Sequence, residues 1–450
     1  MYTRFVSKVL FPLHERLKGH DSVARREALE RSQWLGHAEL QSLQLQRLNR
    51  LLEEAGRQVP YYRELFTRLG VKPGGLDSLA DLQRLPLLTK ALIVANCDTL
   101  KNEQAQGLAG LSTGGSSGEP LRFFIGKDRV SHDVAAKWRA TRWWGVDIGD
   151  PEVVVWGSPI ELGAQDRLRG LRDKLMRTEL LPAFEMSASR LDGFIAAIRR
   201  KRPAMLFGYP SALSHIARHA RERGIAMDDL GIKVAFVTSE RLYEEQRAQI
   251  STVFGCPVAN GYGGRDAGFI AHECPSGGMH LSAEDVIVEL LDPAGWPVAQ
   301  GKAGEIVVTH LATGEFPFIR YRTGDIAVMD DQQCACGRGL PMLKEIQGRT
   351  TDFVIAADGT VLHGLALIYI LRDLPGLRAF KVIQHSRDCT EVQLVPESSA
   401  DPGANPIATS AIIAGFKRRL GAAVEIRVKI VESIEAEKSG KFRYIVSHAS

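Results

Sequence analysis

Apolar residues recur along the first seventy positions at the spacing of a helix face. Within a heavily charged stretch, Leu43, Leu45, Leu48, Leu51 and Leu52 fall near a period of about 3.6 residues, so 22–69 is expected to be helical. Val59-Pro60-Tyr61-Tyr62 interrupts that pattern, because proline lacks an N–H and biases the preceding residue towards extended backbone. Residues 1–17 read as an amphipathic helix resting on the body, with attachment to a membrane surface as the rival reading. Their apolar stretch is broken by Lys8 and Pro12 and has no small-residue cleavage site, which argues against a signal peptide or a membrane span. Residues 73–105 mix short helix signals with Pro73 and Pro86.

The character then changes. Positions 107–118 are rich in Gly, Ser and Thr, and 121–125 reads as a strand. Strands at 153–156, 205–207 and 234–237 alternate with helices at 191–201, 212–223 and 244–254. Short apolar strands separated by amphipathic helices point to a parallel sheet covered by those helices. Residues 285–330 instead read as successive antiparallel strands at 286–291, 305–309 and 325–328. The last hundred residues form a smaller α+β unit, with strands at 380–383, 391–395 and 424–430 and a helix at 407–420. A Pro/Ser/Gly-rich surface loop is expected at 396–406, and no internal repeat is visible.

Composition narrows the class without naming a function. The chain has 450 residues, 24% charged and 44% hydrophobic, ordinary for a folded globular protein of roughly two to four domains. Lys+Arg 57 against Asp+Glu 53 leaves +4 spread over the whole length, too diffuse to argue for nucleic acid. The basic stretch Arg167, Arg169, Arg172, Lys174 and Arg177 reads as a solvated helix face; coenzyme A phosphates, an anionic membrane or an acidic partner are its rivals. Six cysteines are too few for a disulfide scaffold. A cytoplasmic protein with no transmembrane segment is expected, and it could pair as a homodimer.

Ser112-Thr113-Gly114-Gly115-Ser116-Ser117-Gly118-Glu119-Pro120 sets hydroxyls among glycines. Glycines let backbone N–H groups approach an anion, and hydroxyls add donors, so the loop suits a phosphate cradle. It is not a Walker loop, since Glu119 stands where the lysine would be, and it is not the dinucleotide Gly-x-Gly-x-x-Gly. Alone, such a cluster is a plain flexible loop more often than a nucleotide site.

Four further segments follow it in order: Asn260-Gly261-Tyr262-Gly263-Gly264-Arg265-Asp266, Tyr321-Arg322-Thr323-Gly324-Asp325, Gly348-Arg349-Thr350-Thr351-Asp352 and Ser439-Gly440-Lys441. With the loop, they resemble the adenylate-forming ligase superfamily. Within it they resemble the phenylacetate–coenzyme A ligase family, and the helical amino-terminal segment points to its capsular-polysaccharide-biosynthesis relatives. The resemblance implies an α/β fold with a large amino-terminal domain and a small mobile α+β carboxy-terminal domain. Residues 1–105 would be its helical part, 106–348 the adenylate-forming core with an antiparallel β subdomain, 349–352 a hinge and 353–450 the lid.

It also implies roles. Ser112, Thr113, Ser116 and Ser117, with the N–H groups of Gly114, Gly115 and Gly118, would hold the β- and γ-phosphates of ATP. Relatives often carry a lysine just after the proline; Leu121 stands there, so Arg122 or magnesium would supply the cation. Asp266 takes the place of the usual glutamate as magnesium ligand, keeping a hard oxygen but moving it by about one bond. Asp325 would bind the ribose hydroxyls, and Arg349 the ribose or a phosphate. Ser239, Glu240, Gly261, Tyr262 and Gly263 would flank adenine. Phe207, Gly208, Tyr209 and Pro210 would line the acyl pocket. Asp352 would be the hinge, and Lys441 would reach the α-phosphate and carboxylate as the catalytic cation.

The thiols are a separate signal. Cys274 and His280 flank a glycine-rich turn, and Cys334 and Cys336 lie about sixty residues on. Three thiols and an imidazole suit a closed tetrahedral zinc site. Unmetallated buried thiols and a redox disulfide remain alternatives, and His272 is the rival imidazole. Some members of the resembled family share the pattern. Cys97, Cys256 and Cys389 are expected to be packing residues.

The implied reaction is ATP-dependent activation of a carboxylic acid, most naturally an aromatic one, as an acyl-adenylate. The acyl group then passes to coenzyme A, with AMP and pyrophosphate released. Its rivals are an amide ligase or nucleotidyltransferase in surface-polysaccharide assembly, and a non-catalytic scaffold of the same fold.

Overall fold

The computed structural model describes residues 1–112, 121–156, 166–183, 186–349, 353–363, 365–372, 374, 376–396, 409–435 and 443–449. The chain divides into two compact units, Met1–Gln347 and Gly348–Ser450.

In the first unit, the expected helix over 22–69 is three helices, Ser22–Ser32, His37–Gln58 and Pro60–Leu69. Pro60 does not end the helical region. It occupies the first turn of the third helix, where its missing N–H has no partner to lose, and Val59 before it is extended. Leu48, Leu52, Tyr62, Leu65 and Phe66 bury their face against Phe123, Ile306, Val308, Phe318 and Tyr321.

A short pair, β1 (Ala109–Ser112) and β2 (Arg122–Ile125), leads into one large sheet. The parallel part is β3 (Glu152–Trp156), β4 (Thr178–Pro182), β5 (Met205–Gly208), β6 (Val234–Thr238) and β7 (Val258–Gly264). The antiparallel part is β8 (Gly268–Glu273), β9 (Met279–Leu281), β10 (Val286–Leu291), β11 (Ala303–His310), β12 (Tyr321–Asp330) and β13 (Met342–Arg349). The sequence separates a parallel core from an antiparallel subdomain, but the structure joins them in the order β10-β11-β12-β13-β9-β8-β7-β6-β5-β3-β4. The join is β7, which pairs parallel with β6 on one edge and antiparallel with β8 on the other.

β5 and β6 as far as Val237 are apolar and buried at every position because both faces are covered. Leu206, Ala235 and Val237 pack under the helices Ala188–Lys201, Pro210–Glu222 and Glu244–Phe254. Their neighbours Met205, Phe207, Val234 and Phe236 face Ala140 of the helix Lys127–Trp143. Alternate side chains therefore feed two cores, which is why these strands read as unbroken apolar runs.

The second unit holds the hairpin β14 (Phe353–Ile355) and β15 (Val361–His363), and a four-stranded sheet. That sheet has the order β18 (Glu425–Ile430), β17 (Cys389–Pro396), β16 (Leu377–Ser386), β19 (Ile445–Ser447). The helices Leu365–Arg372 and Thr409–Leu420 accompany it.

Candidate active site and a thiol cluster

Residues 208–210, 239–240 and 261–266 lie at or just beyond the carboxyl ends of the parallel strands β5, β6 and β7, the edge at which open α/β sheets bind ligands. β5 ends at Gly208, where a Cβ would lie 2.4 Å from the Val155 carbonyl oxygen, so no other residue fits without moving backbone. Phe207 and Tyr209 are buried, with Tyr209 stacked on Trp156 at 4.3 Å and Phe207 beside Trp156 and Phe236. Pro210 opens the following helix. β6 passes into Ser239, a non-glycine residue at φ 71, and Glu240, whose Oε2 accepts from the Ser211 N–H at 3.2 Å. Left-handed backbone at a serine is an uncommon conformation that surrounding structure must hold.

β7 carries Gly261 and Gly263 for reasons of close approach. A Cβ on Gly263 would sit 2.1 Å from the Gly268 oxygen, and one on Gly261 would meet the Phe236 ring at 2.7 Å. The turn that follows holds Asp266. Its Oδ2 accepts from Tyr321 Oη at 2.6 Å and its Oδ1 from the Ala267 N–H at 3.0 Å. Arg129 fixes the same turn from below, donating to the carbonyls of Asp266 and Arg265 at 3.1 and 3.2 Å. Arg265 in turn donates to the Ser112 carbonyl at 3.2 Å, joining the second motif to the start of the first.

Asp325 projects from a bulge. Across β11 and β12, Glu305 pairs with Ile326 and Val307 with Arg322, so β12 has surplus residues at Thr323-Gly324-Asp325. These hydrogen bonds hold the bulge: Glu305 accepts from Arg322 Nε and the Gly324 N–H, Thr323 Oγ1 donates to the Ile306 carbonyl, and the Asp325 N–H donates to Thr323 Oγ1. Tyr262 Oη then donates to Asp325 Oδ2 at 2.8 Å. Tyr262, Asp325, Asp266 and Ser112 are thus tied into one neighbourhood by Tyr321 and Arg265. Thr113, Gly114, Gly115, Ser116, Ser117, Gly118, Asp352, Lys441 and the Arg349 side chain lie outside the described residues.

A separate cluster gathers sulfur. Cys274 begins the turn between β8 and β9, His280 lies on β9, and Cys334 and Cys336 come from the loop between β12 and β13. Their four ligand atoms lie within 4.8 Å of one another. Cys274 and Cys334 Sγ are 3.5 Å apart, too far for a disulfide and close to the ~3.8 Å of two thiolates on one tetrahedral zinc. Cys336 Sγ lies 3.2 Å from His280 Nε2, while His280 Nδ1 lies 3.2 Å from the Leu340 carbonyl, which fixes Nδ1 as the protonated nitrogen and turns the Nε2 lone pair inward. Gly278 belongs here too, since a Cβ would lie 2.7 Å from Cys334 Sγ. The donor set fits zinc, which would staple two loops with no open position for chemistry. His272 is not in the group; it is buried against Phe269 and Phe236. Of the remaining thiols, Cys256 is buried, whereas Cys97 and Cys389 are half-buried.

His132, Asp133 and His310 also converge within 4.8 Å. There the Arg129 guanidinium already occupies Asp133 at 2.9 Å, and its charge beside the imidazoles opposes a cation.

Comparison with known proteins agrees with this geometry. A solved structure of 2-hydroxyisobutyryl-CoA ligase with its acyl-AMP superposes with a TM-score of 0.74, at 23% identity over 92% of this chain and 90% of that one. The chain has the adenylate-forming ligase fold. It is homologous to the phenylacetate-coenzyme A ligase of Thermus thermophilus, at 28% identity over 71% of this chain and 73% of that one. Protein CapK of Staphylococcus aureus is 23% identical over 91% of this chain and 90% of its own length. The family profile described as the CapK C-terminal domain matches residues 354–448.

Sequence reading did not single out Arg129, Tyr321 or Glu305 as parts of this fold's site. Tyr321 sits inside a quoted motif, so its position was available. Arg129 and Glu305 carried no local signal, because an arginine on a helix and a glutamate on a strand are ordinary until burial shows otherwise.

Proposed function

We propose that this protein activates a carboxylic acid with ATP and magnesium, forming an acyl-adenylate with release of pyrophosphate. The acyl group then passes to coenzyme A and AMP leaves. The observation that carries the reading is the pairing of Tyr262 with Asp325 beside Asp266, at the carboxyl edge of the parallel strands. Asp325 offers two acceptors to the ribose hydroxyls, Tyr262 an aromatic face to adenine, and Asp266 a hard oxygen to magnesium. Ser112 and the following loop would receive the phosphates, Ser239 and Glu240 the adenine edge, and Arg349 the ribose or a phosphate. The aromatic character of Trp156 at the end of β3 and of Phe207 and Tyr209 at the end of β5 supports an aryl acid as substrate. Lys441, on the second unit, would bring its ammonium to the α-phosphate during adenylation, with Asp352 as the hinge between the half-reactions. Zinc would be structural. The setting would be the cytoplasm.

The CapK likeness over most of the chain favours a second reading: the same adenylation, but delivery to an amine or plain nucleotidyl transfer in surface-polysaccharide assembly. Pyrophosphate exchange over a panel of carboxylic acids tests the first half-reaction. Adding coenzyme A or amino sugars then separates the acceptors. AMP release that needs an amine and ignores coenzyme A selects the second reading, and no exchange with any acid favours a scaffold. Lys441→Ala is expected to slow exchange by about 10²- to 10³-fold while sparing thiolation of preformed acyl-adenylate. Equal loss in both steps removes Lys441 from that role.

A further inference from the structure

The amino-terminal helix is fastened to the body by one face and bare on the other. It runs without a break as Tyr2–Phe5, a π-helical stretch Val6–Leu10 and Phe11–Lys18, and ends at Gly19 with φ 70. On the inner face, Val6 and Phe11 are buried and Phe11 packs edge-on against Trp138 at 5.2 Å. Thr3 Oγ1 donates to Asp150 at 2.9 Å, and Tyr2 Oη to the Leu175 carbonyl at 2.8 Å. Gly149 is glycine because a Cβ there would lie 2.5 Å from the Val6 side chain. The helix is therefore held in one orientation.

The outer face presents Phe5, Val9, Leu13 and Leu17, exposed by 50%, 52%, 54% and 80%. One exposed apolar residue needs no explanation, but four at every fourth position form a stripe. On a regular α-helix a four-residue spacing drifts by about 40° per step. The wider turn at Val6–Leu10 takes back much of that drift, so the stripe stays on one side. Leu175, exposed and bonded through its carbonyl to Tyr2, adjoins it.

Charge selects the occupant. Arg4, Lys8, Arg16 and Lys18 are exposed along the same helix. Its only acidic residue, Glu15, is buried and engaged by His14, His20 and Ser22, so no carboxylate faces outward. A second copy docking through the same stripe would bring two cationic surfaces together, which opposes a symmetric dimer. A bilayer carrying anionic headgroups satisfies both features: apolar side chains enter the headgroup–acyl boundary and cations stay at phosphate level. We propose that this stripe docks the protein on an anionic membrane surface, as a peripheral contact and not a span. The inference is independent of which acceptor the active site uses.

The test is co-sedimentation of the full chain with phosphatidylcholine vesicles, with and without about one third phosphatidylglycerol. Binding is expected only to the anionic vesicles, weakening as salt rises. Phe5→Glu, Val9→Glu and Leu13→Glu combined should lower partitioning by at least about 10-fold, and Lys8→Glu with Arg16→Glu should do likewise at low salt. These side chains are exposed, so melting temperature should not move, and it serves as the folding control. Binding that is absent, or equal on both vesicle types, or untouched by the triple variant overturns the proposal. A dimer that the triple variant dissolves, with vesicles ignored, assigns the stripe to a second copy and overturns it too.

Discussion

The Tyr321 hydroxyl donates to Oδ2 of Asp266 at 2.6 Å, carrying a bond from the start of β12 to the turn after β7. Tyr321 is itself held edge-on against Phe318 at 5.1 Å, so its hydroxyl is a fixed post. A carboxylate seated this way has a set direction for its free lone pairs, which is what a magnesium ligand needs. Tyr321→Phe removes a charge-assisted hydrogen bond worth about 1.5–3 kcal/mol. Pyrophosphate exchange should slow by roughly 10- to 100-fold, with more magnesium needed for half-maximal rate. Asp266→Glu restores the residue usual in the resembled family, yet overshoots Tyr321 by about one bond, so it should resemble Tyr321→Phe and give no gain. Wild-type exchange by Tyr321→Phe at limiting magnesium removes the tyrosine from this role.

Arg129 acts one step further back, through the carbonyls of Arg265 and Asp266. Its guanidinium is buried and its Nε also holds Asp133 at 2.9 Å. Lysine cannot reproduce that fork, so Arg129→Lys and Arg129→Met should both weaken exchange and lower stability, the latter by about 3 kcal/mol. Arg139→Met is the matched control: the same helix, equally buried, but donating to Glu284 at 2.6 Å and to the Leu29 carbonyl at 3.3 Å. Measured below their melting temperatures, the Arg129 variants should lose activity and the Arg139 variant should keep it. Equal activity loss in both would mean that Arg129 is structural only.

The contrast between those arginines shows what a sequence can carry. Glycine at 261 and 263 and the Tyr321–Asp325 run were legible through the family resemblance, and close approach and a bulge are the physical reasons those residue types stand there. The apolar runs of β5 and β6 announced a sheet covered on both faces. The continuity of that sheet through β7 was not legible, since a strand's two edges leave no separate mark on its side chains. Nor was the burial of Arg129, Arg139 and Glu284, because a charged residue on a helix or in a turn reads as solvated until its partner, up to about 145 residues away, is known.

The thiol cluster makes an independent prediction. Untagged protein should contain about one zinc per chain by elemental mass spectrometry. Cys334→Ser and His280→Ala should each lose the metal and lower the melting temperature, whereas Cys97→Ser, outside the cluster, should do neither. Chelation should reproduce the loss of stability, since a closed site contributes its binding free energy to folding. Protein that is fully folded without zinc, with three titratable free thiols at these positions, would refute the site.

Acid sensitivity should follow from His310. It is fully buried, its Nδ1 accepts from the Ala312 N–H at 3.3 Å, and its ring meets His132 edge-on at 4.7 Å. Burial, reinforced by the Arg129 guanidinium, holds its pKa well below the ordinary 6.5. The imidazole is therefore neutral when folded and takes a proton near 6.5 only when unfolded. Between those two values the unfolded chain binds more protons, so stability present above pH 6.5 is lost as pH falls towards the folded value. While the folded ring stays neutral, the loss grows by at most about 1.4 kcal/mol for each pH unit below 6.5. His310→Asn keeps an acceptor for Ala312 without a titrating ring. It should lose some stability at pH 8 through poorer packing, yet fall less steeply between pH 6.5 and 5, read as urea midpoints at matched ionic strength. Parallel acid limbs for wild type and His310→Asn would place the sensitivity elsewhere.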